Sequence, residues 1–228
     1  MLCSKGWMNM EKIITVQGTG CARVRPDQIE CTCTLTAPNP DYAKAMATAD
    51  AWMDELRIAL AAVGHDPDAL RTSSFRVRSE YENRRDKNGE YQRVFVGYAC
   101  VYELHLTFAL DLNRLADTVD AVARCAAHPE LGIAFTVRST DAARQTALAD
   151  AAQNARRTAE ALCAAAGAEL GALLRIDACA EPLDNASPTR FEFSQDLMRT
   201  PAKMRACADV SPEDVALTES AAFTWAIE

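Results

Sequence analysis

The pair Asn88-Gly89, set between two runs rich in β-branched and aromatic residues, constrains this chain more than any other feature. Asn-Gly is the preferred pair for a two-residue type I′ hairpin turn, because both residues tolerate positive φ, and such a turn fixes the register of the strands it joins. Lys87 then faces Glu90, and counting outward sets Tyr81 opposite Val96, Ser79 opposite Tyr98, Val77 opposite Cys100 and Phe75 opposite Tyr102. In this register the apolar residues of both strands share a face, and a one-residue slip would scatter them. The second strand runs on through Leu104, Leu106 and Phe108, so Gly97 within it marks a bulge or bend. A long, protruding β-hairpin is expected.

Around it the pattern alternates between periods. Ile13 to Val16 reads as a short strand, followed across a break at Gly18-Thr19-Gly20 by a second strand, Ile29 to Leu35, with Ile29, Cys31, Cys33 and Leu35 on one face. Asp41 caps a helix whose stripe is Tyr42, Met46, Ala49, Met53, Leu56, Leu60 and Val63, ending at Gly64. Asp111 caps a second helix through Leu112, Leu115, Val119 and Val122, which stops before His128-Pro129. A strand over Leu131 to Val137 precedes a long alanine-rich helix to Gly167, with Leu148, Ala152, Ala155, Ala159, Leu162 and Ala166 along one face. Leu173 to Cys179 is a strand, Glu181 to Arg205 a long loop or arm, and Val215 to Ile227 a closing strand. The order ββ-α-ββ-α-β-α-β-loop-β predicts an α+β fold of two helix-on-antiparallel-sheet layers rather than a doubly wound parallel sheet.

Composition narrows the class. A net charge of -8 repels polyanions, so neither nucleic acid nor an anionic membrane is an expected partner. No run approaches the roughly 18 apolar residues of a membrane span, and residues 1–10 hold no signal-peptide core. Those ten residues read as a disordered or start region, and 11–228 as one domain divisible into subdomains 11–109 and 110–228. The nine cysteines are odd in number and scattered, as expected of a reducing cytoplasm.

The ordered pieces Ile14-Thr15-Val16-Gln17-Gly18-Thr19-Gly20, Pro26-Asp27, Val63-Gly64, Leu70-Arg71-Thr72, the Tyr81 to Tyr98 hairpin, the Ala147 to Gly171 helix and Phe223-Thr224-Trp225 resemble the SIMPL-domain family over nearly the whole chain. That family is found mainly in bacteria. The resemblance implies an α+β fold, frequent self-association and associations with the cell envelope or oxidative stress, with no established reaction and no catalytic residues to carry over. Many relatives look exported, whereas a cytoplasmic place is expected here.

The candidate sites are few. Gly18-Thr19-Gly20 is not followed by the helix N-terminus that a phosphate loop requires, so a bend or bulge between edge segments is expected. Cys31 and Cys33 share a strand face with Ile29 and Leu35, which makes them core residues first and redox thiols only if exposed; a metal would need further ligands, and none is expected. The hairpin register sets Thr72 opposite His105 and Ser74 opposite Glu103, a polar cluster able to do acid–base work or hold a small ligand of unknown class. No cofactor is implied. Oligomer contacts are expected from the hairpin and the arm, at Arg84, Arg85, Lys87, Tyr91, Phe191 and Phe193. The principal functional expectation is a self-associating, non-enzymatic structural or scaffold protein. The alternatives are a thiol-based oxidative-stress responder and a ligand binder or enzyme centred on His105.

Overall fold

The computed structural model describes residues 12–85, 90–178, 185–194 and 210–228. Their strands are β1 (Ile13–Val24), β2 (Gln28–Asn39), β3 (Leu70–Arg85), β4 (Tyr91–Ala109), β5 (Glu130–Thr136), β6 (Leu170–Ala178), β7 (Ala186–Phe193) and β8 (Val215–Ile227). The helices are α1 (Tyr42–Ala62), α2 (Leu112–Arg124) and α3 (Asp141–Ala166), with a 3-10 turn at Pro67–Ala69. All strand pairs are antiparallel, in sheets ordered β1-β8-β6 and β3-β4-β2-β5-β7, so the α+β class holds.

The described residues form two compact units, one from within Met1–Arg25, Val137–Asn185 and Asp214–Glu228, the other from Pro26–Thr136 and Ala186–Glu213. Each draws on chain from both sides of residue 110.

In the first unit α3 lies on the three-stranded sheet by a ladder of small residues at every fourth position, Ala143, Ala147, Ala151, Ala155 and Ala159, ending in Cys163. The buried face is thus turned from the expected one: Leu148 and Ala152 sit at its margin, and Leu162 is 52% exposed. Close approach explains the turn, because bulky leucines would hold the helix away. β1 also differs from expectation, since it runs unbroken through Gly18-Thr19-Gly20. A Cβ on Gly18 would lie 2.1 Å from Ala151 O, and one on Gly20 2.0 Å from Ala147 O. The glycines are therefore contact points for the α3 backbone rather than a bend. Asp150 accepts a hydrogen bond from Cys21 N–H, and the Asn154 amide donates to Thr19 O, so α3 also occupies backbone groups of this edge strand. Gly167, at φ 71°, ends α3 in the left-handed region with Ala168 N–H donating to Cys163 O.

In the second unit α1 and α2 cover one face of the five-stranded sheet, burying Met53, Leu56, Leu60, Leu115, Val119 and Val122 on Ile29, Cys31, Cys33, Leu35, Leu104, Leu106, Leu131, Ile133 and Phe135. Asp41 accepts from Lys44 N–H and Asp111 from the N–H groups of Asn113 and Arg114, so both expected caps form. α1 closes at Gly64 with His65 N–H donating to Leu60 O, while Tyr42, read as part of the apolar stripe, is 51% exposed.

The hairpin is present, but its register carries two shifts. Phe75, Val77 and Ser79 face Tyr102, Cys100 and Tyr98 as expected, whereas Tyr81 faces Phe95 instead of Val96 because the ladder slips at Gly97. Asn39 O lies where a Cβ of Gly97 would be, 2.6 Å away, so only glycine lets β4 pass this point. A second bulge, between Thr72 and Ser74, moves Thr72 opposite Leu104 and gives His105 Arg71 as its partner. The turn itself, including Lys87 opposite Glu90 and Asn88-Gly89, lies outside the described residues.

Within the expected arm, residues 186–193 instead form β7, an edge strand on β5. Ser187, Thr189, Phe191 and Phe193 alternate toward the helix-covered side, and Pro188 is tolerated because an edge strand can spare its N–H. The other residues of that segment lie outside the described ones, apart from Asn185 and Ser194.

Candidate functional site

Among the described residues of its unit no helix covers the other face of the five-stranded sheet, and β2, β4 and β5 set its side chains by simple alternation. With Ile29 to Leu35 committed to the core, Glu30, Thr32 and Thr34 must point the other way, opposite Thr107, His105 and Glu103. His105 Nδ1 lies 3.1 Å from Glu30 Oε1, diagonal to it across the strands. Glu103 pairs with Arg76 at 2.8 Å, and its backbone carbonyl accepts from Ser73 Oγ at 3.1 Å. Beside this row, small residues on β5, Gly132 and Ala134, leave a concavity of about 620 Å³ between Thr32 and Thr34 on one side and Arg190 and Glu192 on the other.

Of the expected cluster, Glu103, His105 and Ser74 therefore share this face, while Thr72 is carried to a different partner by its bulge. The partner that sequence reasoning missed is Glu30. A carboxylate on Nδ1 fixes an imidazole's orientation, which is the supporting half of an acid–base pair. The other half, a nucleophile or substrate group, would have to be offered by Thr32 or by a molecule in the concavity.

The thiols are placed differently. Cys31 and Cys33 are each 1% exposed beneath the helices, and burial, aided by nearby Cys125, pushes the Cys33 thiol up to about 12. Cys125 itself is raised to about 11 by burial and by Glu55. Such thiols stay protonated at neutral pH, and the thiolate is the reactive form. Cys21 is the exposed cysteine among the described residues. Those residues also hold no group of three or more metal-ligating side chains.

The same sheet continues into a third feature. β2 pairs with β4 only from Tyr98 onward, so Tyr81–Arg85 and Tyr91–Gly97 extend beyond it as a two-stranded ribbon. Tyr81, Tyr91, Val94 and Phe95 are 44%, 75%, 37% and 46% exposed there. Edge-to-face contacts link Tyr81 to Phe95, Phe95 to Tyr98 and Tyr98 to Tyr42, and the Arg93 guanidinium lies 4.2 Å over the Tyr81 ring. Of the expected oligomer contacts, Tyr91 and Arg84 lie on this ribbon, Arg84 paired with Glu82 at 3.1 Å, and Arg85 is also there. Phe191 and Phe193 are half-buried on β7, packed against the core, and Lys87 is outside the described residues.

One buried polar group has a pH consequence. His65, 5% exposed, places Nε2 2.7 Å from Thr118 Oγ1, whose own hydrogen goes to Arg114 O, so His65 Nε2 is the donor. Burial first and Arg114 second hold its pKa below the ordinary histidine value. The unfolded chain then binds the proton more readily, so stability is full above the unfolded pKa of about 6.5 and falls as pH drops below it. Chemical denaturation of His65→Gln at successive pH values is expected to lose less stability than wild type between about pH 6.5 and 5. Parallel losses in both proteins would refute this assignment.

Over residues 14–225 the chain matches the family model described as SIMPL: Protein of unknown function (DUF541). No curated protein matches it. Among the described residues no helix is long and apolar enough to cross a membrane.

Proposed function

The chain belongs to the SIMPL family of proteins of unknown function, and since that membership supplies no reaction, we propose that it works by binding further copies of itself rather than by catalysis. The observation that carries this reading is the ribbon. An isolated two-stranded ribbon is marginally stable in water, and here it exposes Tyr81, Tyr91 and Phe95 on one face and Val94 on the other. Packing against a second protein surface removes both costs at once. Aromatic and arginine side chains are also the groups that most often anchor protein interfaces.

The competing readings have less beneath them. A thiol-based role would need cysteines other than buried Cys31 and Cys33, and an acid–base role at His105 has its orienting carboxylate, Glu30, but no activated nucleophile among the described residues.

The test is a Tyr91→Ser, Phe95→Ser double variant, compared with wild type by sedimentation velocity. Both side chains are exposed, so the fold is retained, while truncating interface anchors costs roughly 2 kcal/mol or more of association each. A fall in mass at matched concentration is expected. An unchanged distribution would remove the ribbon from the interface.

A further inference from the structure

Among the described residues β6 is the outer strand of its sheet, bonded to β8 on one side. Leu173, Leu174 and Ile176 on it are 47%, 54% and 55% exposed. Leu173 and Ile176 stand opposite Trp225 and Phe223, on the side that α3 covers over β1 and β8. Among the described residues none covers β6 there, and a groove of about 380 Å³ is bordered by Cys163, Ala164, Leu173 and Trp225. On the other side of the sheet β6 presents Arg175 and Asp177, 2.7 Å apart. An apolar outer strand is a template for another strand, and its stretch Arg175–Ala178, beyond the two irregularities of its ladder with β8, carries neither a proline nor a lysine to discourage one.

The sequence of β6 says which strand fits. When two copies lie antiparallel about a two-fold axis through Ile176, Arg175 of each copy stands opposite Asp177 of the other. In the same register Ile176 meets its own counterpart, so over Arg175–Asp177, beyond the irregularity at Leu174, apolar side chain meets apolar and charge meets opposite charge. A slip of one residue sets Arg175 against Ile176 or Ala178. A slip of two sets Arg175 against Arg175, or Asp177 against Asp177. Of these registers, the one centred on Ile176 pairs opposite charges, as a self-complementary isologous interface requires.

We infer that β6 takes the β6 strand of a second copy, joining two three-stranded sheets into one continuous antiparallel sheet. The two-fold axis stands perpendicular to that sheet, which puts both α3 helices on the same face with the apolar residues of the two β6 strands between them. This contact lies in the unit that does not contain the ribbon, and it stands whether or not the ribbon also associates.

Two single variants test it, each made in full-length chain carrying Tyr91→Ser and Phe95→Ser so that ribbon contacts do not contribute. Arg175→Asp and Asp177→Arg each break the ion pair within β6 and each set like charges across the axis. Each is expected to weaken dimerisation roughly tenfold or more in sedimentation equilibrium. Mixed in equal amounts, the two variants should recover the parent affinity as a heterodimer, because two carboxylates on one strand then face two guanidinium groups on the other. The ion pair within each strand stays broken in that mixture, so recovery reads the contact between copies. A monomeric parent, singles that associate like the parent, or a mixture no tighter than its components would each overturn the inference.

Discussion

Gly20→Ala is expected to destabilise the unit built on β1, β6, β8 and α3 by about 3 kcal/mol or more, at or beyond the upper end for overpacking. Local preference points the other way, since glycine in a strand interior costs about 0.5–1 kcal/mol relative to alanine. Packing decides the sign. The added methyl would lie 2.0 Å from Ala147 O and 2.4 Å from Ala151 N, both backbone atoms of a helix that can yield only by moving as a whole. Gly132→Ala is the control, because its Cβ would find nothing nearer than Thr32 Cβ at 3.8 Å. That change should be neutral or stabilising by up to about 1 kcal/mol. Urea denaturation of the two variants with wild type checks both, and equal midpoints would mean that α3 does not rest on β1 as described.

Arg144→Met is expected to cost about 2–4 kcal/mol, somewhat below the full range for breaking a buried pair because the arginine is partly exposed. Glu219 is 4% exposed on β8, and its Oε1 lies 2.7 Å from Arg144 Nε, a close ion pair whose angle falls outside that of a linear hydrogen bond. Removing the guanidinium strands a carboxylate that folding has taken out of water. The companion variant Arg144→Met, Glu219→Leu removes the stranded charge along with its partner, and should be more stable than the single variant. A double variant less stable than Arg144→Met would show that the charge is not the source of the cost.

Both effects turn on contacts that local sequence does not announce. Gly18-Thr19-Gly20 reads as a break because glycine lowers strand propensity, and the reason for it lies some 130 positions away in the alanine ladder of α3. The α3 stripe is legible in part, since Ala155 and Ala159 are buried as expected, but leucines dominate a hydrophobicity count whereas alanines allow the close approach that the glycines complete. The caps at Asp41 and Asp111 and the stop at Gly64 and Gly167 were legible, since each is settled within a few residues. The hairpin was legible as far as counting from a turn can carry. The bulge expected at Gly97 is there, but not its effect on the register, and the one near Ser73 has no signal in the sequence; together they set Tyr81 and Thr72 off their expected partners. β7 escaped notice because its alternation is short and holds a proline, features that suit an edge strand and a loop equally.

The candidate face followed the same rule. Alternation in β2 placed Cys31 and Cys33 inside and Glu30, Thr32 and Thr34 outside, which only needed the strand itself. That Glu30 would reach His105 required the pairing of β2 with β4, and no turn joins those two strands to fix it.

Self-association is open to a direct check by light scattering of the wild-type chain across the micromolar range. It predicts a mass above the 24.8 kDa of one chain that rises with concentration toward a defined multiple. A mass of 24.8 kDa at every concentration would contradict it.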